Sequence, residues 1–340
     1  IRKECEKKGI LLYADEAWAP YLRFHPHYTR VSDTSITRYN ATDGGAHFAV
    51  QSTHKALAAF SQASMIHVSE NFQKRLEQPS GTLWDWLQSR FTLEGKASYA
   101  KFRHELFEVL RYWHSTSPHY PMLATLDRAG VQMRLEGMRL IEERLEWVRT
   151  FYKNVESFAP GSIVGLEQIV GSKNLQDYAG YLKDPLKIVL SLKNASTSKK
   201  RLRRYLDQER IQWEKATAGS VQFLVTLGTY SDHLDQLARV LMKQAEFLGP
   251  PDDRGSVDAF NSKWMEAQPT ALPRDAAACD GEMIKLSESA KRMSAQMVVP
   301  YPPGIPVMLP GVPIPNGLVA FVEKLVEEDG NHSVHGLFEH

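Results

Sequence analysis

The sequence has little of several features that would place it in a special class of protein. Its 340 residues include only two cysteines, Cys5 and Cys279, which excludes a disulfide scaffold and fits a reducing compartment. The net charge is +1 at pH 7, so no strong overall field favours nucleic acid or an anionic membrane. No apolar run approaches the roughly 20 residues that span a bilayer. We therefore expect an ordinary globular protein of the cytoplasm.

The amino terminus lacks both an initiator methionine and the apolar core of a signal peptide. Residues 1–8 are mostly charged, and they lead directly into the apolar run of residues 10–14. A domain seldom begins with a charged helix that runs at once into a strand. We therefore expect the chain to be part of a longer polypeptide or to pair with another chain.

Short apolar runs separated by polar connections indicate an α/β fold in the first part of the chain. We predict buried strands at residues 10–14, 47–50 and 64–68, and a polar loop at residues 31–45. Farther on, apolar residues at spacings of three and four predict one long helix with a single apolar stripe. The stripe consists of Met138, Ile141, Leu145, Val148, Tyr152 and Val155.

The second half of the sequence alternates strands and helices in a pattern that predicts a smaller α+β domain. The predicted strands cover residues 185–192 and 220–226, and the predicted helices cover residues 199–214 and 231–248. The density of proline and glycine at residues 300–311 then predicts extended, rigid loop.

Asp15 and Lys55 are the first candidates for chemistry. Asp15 follows the first predicted strand, and ligands bind at the carboxyl ends of strands in α/β sheets, although Asp is also common at caps and turns. Lys55 follows the second predicted strand and precedes an apolar stretch. Partial desolvation there would favour a neutral, nucleophilic amine; a solvated surface lysine is the alternative. The two residues together form a stronger pattern than either alone.

Several motifs carry a resemblance to a known family. Residues 15–18 read DEAW, residues 51–64 read QSTHKALAAFSQAS, and residues 115–120 read STSPHY. The run DPLK at residues 184–187 and the proline-rich run at residues 300–311 extend the pattern toward the carboxyl terminus. With these motifs the chain resembles the bacterial-type lysine/arginine/ornithine decarboxylases, which use pyridoxal 5'-phosphate (PLP) and have the aspartate-aminotransferase fold.

The resemblance implies a role for each matching residue. Lys55 would hold PLP as a Schiff base, Asp15 would face the ring nitrogen and keep it protonated, and His54 would be the third catalytic residue. The residues expected to contact the cofactor are Lys55, Asp15, Ala17, Trp18, Ser52, His54, Ser115 and Thr116. The last two lie in a loop that reaches the cofactor phosphate of the neighbouring subunit in the family. No metal is expected.

The resemblance also implies an architecture and a reaction. The expected fold class is α/β, a partial PLP-dependent transferase (fold type I) large domain followed by smaller α+β carboxyl-terminal domains. We place the large-domain portion at residues 1–158, the small domain at residues 159–250 and the carboxyl-terminal decarboxylase domain at residues 251–340. The implied reaction converts lysine, arginine or ornithine to its amine and carbon dioxide, as in polyamine biosynthesis, in a homodimer or higher oligomer.

Two alternatives stay open. The first keeps the fold and changes the reaction, as in an aminotransferase or another fold-type-I PLP enzyme. The second is a non-catalytic fragment or subunit of such a decarboxylase, completed by a missing amino-terminal segment or by a partner chain, because a partial sheet would expose unpaired strand edges.

Overall fold

The structure is a computed structural model of the 340-residue chain. The residues that it describes are 1–8, 10–32, 35–77, 98–113, 115–170, 176, 181–193, 195–216, 219–250, 268–301, 304, 306–328 and 333–336. Positions 302, 303 and 305 of the proline-rich run lie outside this set, as does the start of the predicted third domain, residues 251–267.

The chain divides into two compact units. The first unit comprises Ile1–Asn154, Leu166–Lys187 and Leu224–Arg239. The second unit comprises Val155–Gly165, Ile188–Phe223 and Val240–His340. Asp15 and Lys55 both belong to the first unit, so the candidate site is described within that unit alone.

The chain contains both helices and strands. The helices are α1 Arg2–Lys7, α2 Thr53–Ala56, α3 Glu70–Glu77, α4 Ser98–Trp113, α5 Tyr120–Phe158, α6 Leu166–Val170, α7 Ala195–Gln208, α8 Ser231–Lys243, α9 Pro273–Ala278 and α10 Asn316–Glu328. The strands are β1 Tyr13–Asp15, β2 Thr29–Ser32, β3 Ser35–Arg38, β4 Phe48–Gln51, β5 Met65–Val68, β6 Lys187–Ser191, β7 Lys215–Ala216, β8 Ser220–Leu224, β9 Val299–Tyr301 and β10 Ser333–His335. Within the described part of the chain, none of the helices has the length and apolarity needed to cross a membrane.

The first unit is built on a three-stranded sheet in the order β1–β4–β5. β1 and β4 are parallel, and β5 runs antiparallel to β4. Ala49 in the central strand is buried, as expected for a strand with a neighbour on each side. Because β1 and β4 are parallel, their carboxyl ends lie side by side, and Asp15 pairs in register with Val50.

The expectation that residues 10–14 form a buried strand is wrong. Ile10 and Tyr13 are 49% and 58% exposed, and the strand itself begins only at Tyr13. β1 is an edge strand, since β4 is its partner in the sheet and no second neighbour is found among the described residues. An apolar run therefore predicted the strand without predicting its position in the sheet.

The loop predicted at residues 31–45 is also wrong at its start, because β2 and β3 form an antiparallel hairpin there. Val31 lies opposite Ile36 in this hairpin, and each is 73% exposed. The abundance of Ser, Thr and Asp in this stretch masked the alternation of a strand.

Aromatic side chains pack helices α3 and α4 against the sheet. Phe72 makes edge-on contacts with His47, Phe48 and Phe102, at ring-centre distances of 5.0, 5.4 and 5.5 Å. The Nδ1 atom of His47 also accepts a hydrogen bond of 2.8 Å from the backbone N–H of Leu12, just before β1. This packing holds β1 beside β4 and so fixes where Asp15 lies.

The long helix α5 confirms most of the predicted stripe. Ile141, Leu145, Val148 and Val155 are almost completely buried. Met138, by contrast, is 64% exposed, and the buried face continues toward the amino terminus through Met133 and Gly137 instead. The spacing of four between those buried positions places Met138 one residue off the packed face.

The second unit contains a sheet of order β6–β8–β7, in which β7 and β8 are antiparallel. Farther along, β9 and β10 form an antiparallel pair, so the proline-rich run holds a short strand as well as loop. A small core packs near helix α10 and consists of Val307, Met308, Val312, Leu318 and Val322.

Candidate active site

Asp15 lies at the end of β1, where the chain turns. The backbone N–H of Glu16 donates to the Val50 carbonyl at 2.8 Å, which extends the pairing with β4 by one residue. Asp15 Oδ1 then accepts a hydrogen bond of 2.9 Å from the N–H of Ala17. Asp15 is exposed, and it lies at the carboxyl edge of the sheet. The bond to Ala17 confirms the interpretation of Asp15 as a turn residue, and its role in ligand binding stays a prediction.

Lys55 lies in the single-turn helix α2, which follows β4 directly. Its neighbours Thr53 and Ala56 are buried and anchor the turn, and the Ala56 carbonyl accepts a hydrogen bond of 3.2 Å from the N–H of Leu227. The Lys55 side chain is half-buried, with Nζ 6.0 Å from the centre of the Trp18 indole ring. The structure therefore brings Lys55 and Trp18 together at the edge where Asp15 lies.

His54 is held by one backbone carbonyl. Its Nδ1 lies 2.9 Å from the oxygen of Ala63, and its backbone N–H donates to the same oxygen at 3.3 Å. A carbonyl only accepts, so Nδ1 must carry a proton, and Nε2 has a lone pair whenever the ring is neutral. His54 can then bind a phosphate oxygen through Nε2 only as the imidazolium, and can accept a proton there only as the neutral ring.

The other predicted cofactor contacts fall in two places. Ser52 precedes α2, is half-buried, and its hydroxyl makes no capping hydrogen bond to that helix. Ser115 and Thr116 lie in an exposed segment before α5, where Ser115 Oγ accepts a hydrogen bond of 3.2 Å from the N–H of Ser117. Ser52 thus lies next to Lys55, whereas the roles of Ser115 and Thr116 stay predictions.

Sequence reasoning missed a polar network beneath Asp15. The Glu16 carboxylate accepts hydrogen bonds from the Ala41 N–H at 2.6 Å and from Gln51 Nε2 at 3.0 Å. Gln51 Oε1 in turn lies 3.0 Å from Nε2 of His67, which must be the donor because an amide oxygen only accepts. Burial raises the pKa of Glu16, although the bonds from Gln51 and Ala41 partly offset it. Burial also disfavours the charged form of His67, and for a histidine this lowers the pKa.

A second cluster that sequence reasoning missed surrounds Asp184. Its carboxylate accepts hydrogen bonds from the hydroxyls of Tyr21 and Tyr28, at 2.5 and 2.8 Å, and both tyrosines are almost completely buried. Lys187 Nζ donates to the Tyr21 hydroxyl and to the Trp18 carbonyl, each at 2.8 Å. Burial, reinforced by the Asp184 charge, raises the pKa values of Tyr21 and Tyr28 above their usual range. The sequence signal for this cluster is the motif DPLK at residues 184–187, which overlaps the predicted strand at residues 185–192.

Across the described ranges, no group of three or more His, Cys, Asp or Glu side chains is placed to hold a metal ion. The reactive groups at the carboxyl edge of the sheet are instead an amine, a carboxylate, an imidazole and a hydroxyl.

Comparison with known proteins assigns the chain to a family. The major domain of the Orn/Lys/Arg decarboxylases matches residues 1–233, and their C-terminal domain matches residues 257–332. The chain belongs to the Orn/Lys/Arg decarboxylase family. The resemblance seen in the sequence motifs is thereby confirmed.

Individual relatives show the extent of the likeness. An arginine decarboxylase of Bacillus subtilis is 26% identical over 319 residues, which cover 93% of this chain and 56% of the relative. A lysine decarboxylase of Pseudomonas aeruginosa is 27% identical over an alignment of 377 residues, with coverage of 88% and 46%. The chain spans about half the length of the curated relatives it matches.

Solved structures of lysine decarboxylases share the fold. The one from Pseudomonas aeruginosa superposes with a TM-score of 0.64 at 22% identity, covering 97% of this chain and 52% of its own. The constitutive enzyme of E. coli gives a TM-score of 0.60 at 21% identity, with coverage of 96% and 52%. The mixed α/β architecture is therefore that of lysine decarboxylases.

Proposed function

We propose that the protein is a PLP-dependent decarboxylase that converts a basic amino acid to its amine and carbon dioxide. The observation that carries the proposal is the placement of Lys55 beside Trp18, at the end of β4, with Asp15 at the end of the parallel neighbour β1. Family membership, and the names of relatives that act on lysine or arginine, support the reaction and the substrate class.

The groups at this edge fit PLP in their chemistry. An amine can bond to the aldehyde of PLP, and a carboxylate can pair with its protonated pyridine nitrogen. A hydroxyl can donate a hydrogen bond to its phosphate. Lys55 would bind the aldehyde carbon, and Asp15 would hold the proton on the ring nitrogen through the oxygen that Ala17 leaves accessible. Ser52 would donate to the phosphate. When bound, the cofactor supplies an electron sink for the carbon that loses carbon dioxide.

His54 would serve the site through Nε2, because Nδ1 is committed to Ala63. As the imidazolium it would bind phosphate or deliver a proton to the substrate carbon, and after delivering the proton it would stay bonded to Ala63. Trp18 and Ala17 would flank the cofactor ring, and the indole would limit the water that reaches Lys55.

The remaining sequence predictions belong to the same proposal. Ser115 and Thr116 would complete the phosphate site of a neighbouring subunit, which makes the working unit a dimer or larger oligomer. The division at residues 158 and 250 would separate the PLP-binding portion from the smaller carboxyl-terminal domains. A segment outside this chain would complete the sheet beyond β1, because the relatives are about twice as long.

The test is PLP binding by the purified protein, followed by product analysis. Added PLP should give a visible absorption band that Lys55→Ala abolishes and that the control Lys74→Ala keeps, because Lys74 is a solvent-exposed lysine on α3. Carbon dioxide and amine from lysine, arginine or ornithine would support a decarboxylase. A keto acid would indicate an aminotransferase, and a band without any product would indicate a non-catalytic subunit.

A further inference from the structure

Lys187 joins the segment at the start of β6 to the turn that carries the candidate site. Its Nζ donates to the backbone carbonyl of Trp18 and to the hydroxyl of Tyr21, each at 2.8 Å. The Lys187 side chain is only 14% exposed, so water competes little for these bonds. The lysine therefore fixes a backbone atom of the residue whose indole lies beside Lys55.

Asp184 holds Lys187 in place from the other side. Its carboxylate lies 3.6 Å from Lys187 Nζ, accepts the hydroxyls of Tyr21 and Tyr28, and also accepts the N–H of Leu186 at 3.1 Å. The carboxylate thus accepts three neutral donors at shorter distances than the lysine amine, whose own shorter bonds go to Trp18 and Tyr21. A half-buried charge with this many partners has a well-defined position.

The turn itself has limited support of its own. Within it, the Ala17 N–H donates to Asp15 Oδ1 and the Ala19 N–H donates to the Glu16 carbonyl at 3.0 Å. Both bonds are local, so they set the shape of the turn and not its place on the sheet edge. The place is set by Glu16, through Val50, Gln51 and Ala41, and by Lys187 through the Trp18 carbonyl.

We infer that Lys187, held by Asp184, is a positioning residue that fixes the turn of residues 15–18 relative to Lys55. The inference deepens the proposed function and rests on it, because the placement of Asp15 and Trp18 matters for catalysis only if they face the cofactor. Loss of the lysine would let the turn move, and a displacement of about 1 Å at a reacting centre can cost about 100-fold in rate.

Lys183 provides a matched control. It is also a half-buried lysine, and its Nζ donates to the Tyr152 hydroxyl at 3.2 Å and to the Lys187 carbonyl at 2.9 Å. Neither of these two bonds involves residues 15–18, so removal of the amine should disturb the cluster without releasing the turn. Lys183→Met and Lys187→Met each remove one amine and keep the length of the side chain.

The first measurement needs no cofactor. Backbone hydrogen exchange in residues 16–19 should be about 10-fold faster in Lys187→Met than in wild type, and within about 2-fold of wild type in Lys183→Met. Amides in the middle of α5 report global opening in the same run. Equal exchange of residues 16–19 in the two variants, after correction for global opening, would overturn the inference.

The second measurement uses PLP. Lys187→Met should bind PLP more weakly and lower kcat by about 100-fold with a smaller change in KM, whereas Lys183→Met should keep both. If wild type binds PLP and Lys187→Met behaves like wild type, the inference fails and the proposed function stands. If wild type does not bind PLP, the proposed function fails, and the exchange experiment alone then tests whether Lys187 positions the turn. Should Lys187→Met not fold, Asp184→Asn replaces it, and unchanged exchange of residues 16–19 in that variant would also overturn the inference.

Discussion

The amine nitrogen of Lys55 lies 6.0 Å from the centre of the Trp18 ring, at the limit of a cation–π contact. The two residues come from turns that follow parallel strands β1 and β4, and the register of those strands places the turns next to each other. The contact therefore shows that the sheet brings a half-buried lysine and the turn that begins at Asp15 to the same carboxyl edge.

Replacing Asp15 by Asn should separate the charge of this residue from its structural role. The amide oxygen can still accept the N–H of Ala17, so the turn should persist, whereas the charge that holds a proton on the ring nitrogen is lost. We expect kcat to fall by about 100-fold or more, with PLP binding partly retained. The control is Asp207→Asn, since Asp207 pairs with Arg203 on the surface of α7. Wild-type turnover by Asp15→Asn would remove Asp15 from the site.

Replacing Tyr28 by Phe should test the cluster around Asp184. The buried hydroxyl donates to the carboxylate at 2.8 Å, and a hydrogen bond to a charged group contributes about 2 kcal/mol. We therefore expect the free energy of unfolding, measured with urea, to fall by about that amount. Tyr112→Phe removes a hydroxyl from a residue that is 83% exposed and should change stability by less than about 0.5 kcal/mol. Equal effects of the two changes would mean that the Asp184 cluster contributes nothing to stability.

The free energy of unfolding should depend on pH through the titration of Lys183. Burial lowers the pKa of Lys183 to about 8, although the Asp184 charge acts in the opposite direction. A neutral amine has two N–H donors, which match its bonds to Tyr152 and to the Lys187 carbonyl. Between pH 8 and pH 10 the unfolded chain keeps the proton that the folded chain has lost, so stability rises with pH.

We expect the free energy of unfolding of wild type, relative to Lys183→Met, to increase by about 2 kcal/mol between pH 7 and pH 10. Taking the difference between the two proteins cancels the titration of the tyrosines. Urea denaturation of both proteins at several pH values provides the measurement. A difference that stays flat or falls across this range would show that Lys183 stays charged in the folded protein.

Replacing Gly311 by Ala should destabilise the second unit. Gly311 has a φ of +81°, and an added Cβ would lie 2.4 Å from the carbonyl oxygen of Ala271. Both the backbone conformation and the space require glycine, so we expect a loss of about 2 kcal/mol or more. Gly130→Ala is the matched control, because it lies in helix α5 with no atom within 4 Å of the added Cβ and should stabilise by up to about 1 kcal/mol. The same sign of change in both variants would contradict this account.

The sequence predicted the elements of the site better than their surroundings. A strand before Asp15 and another before Lys55 could be inferred because apolar runs and polar turns are local features of the sequence. The exposure of β1 could not, because it depends on the order of strands in the sheet. The Asp184 cluster could not either, since Tyr21 and Asp184 are 163 residues apart and each looks ordinary in its own segment.

The apolar stripe of helix α5 was also predicted only in part, because one of its contacts comes from a distant segment of the chain. The spacing of apolar residues predicted the buried face of α5 correctly from Ile141 onward, and it failed at Met138. There Gly137 takes the buried position, because an added Cβ would lie 3.2 Å from Cβ of Phe24. A glycine that admits a close neighbour leaves no apolar signal in the pattern.

The most direct test of the account is to reduce the protein with borohydride after incubation with PLP and to locate the modified residue by peptide mass spectrometry. The account predicts that the reduced cofactor is attached to Lys55, in the peptide that also contains His54, and that Lys55→Ala takes up none at that peptide. Attachment mainly to another lysine, such as Lys183 or Lys187, or no attachment above that of an unrelated protein, would contradict it.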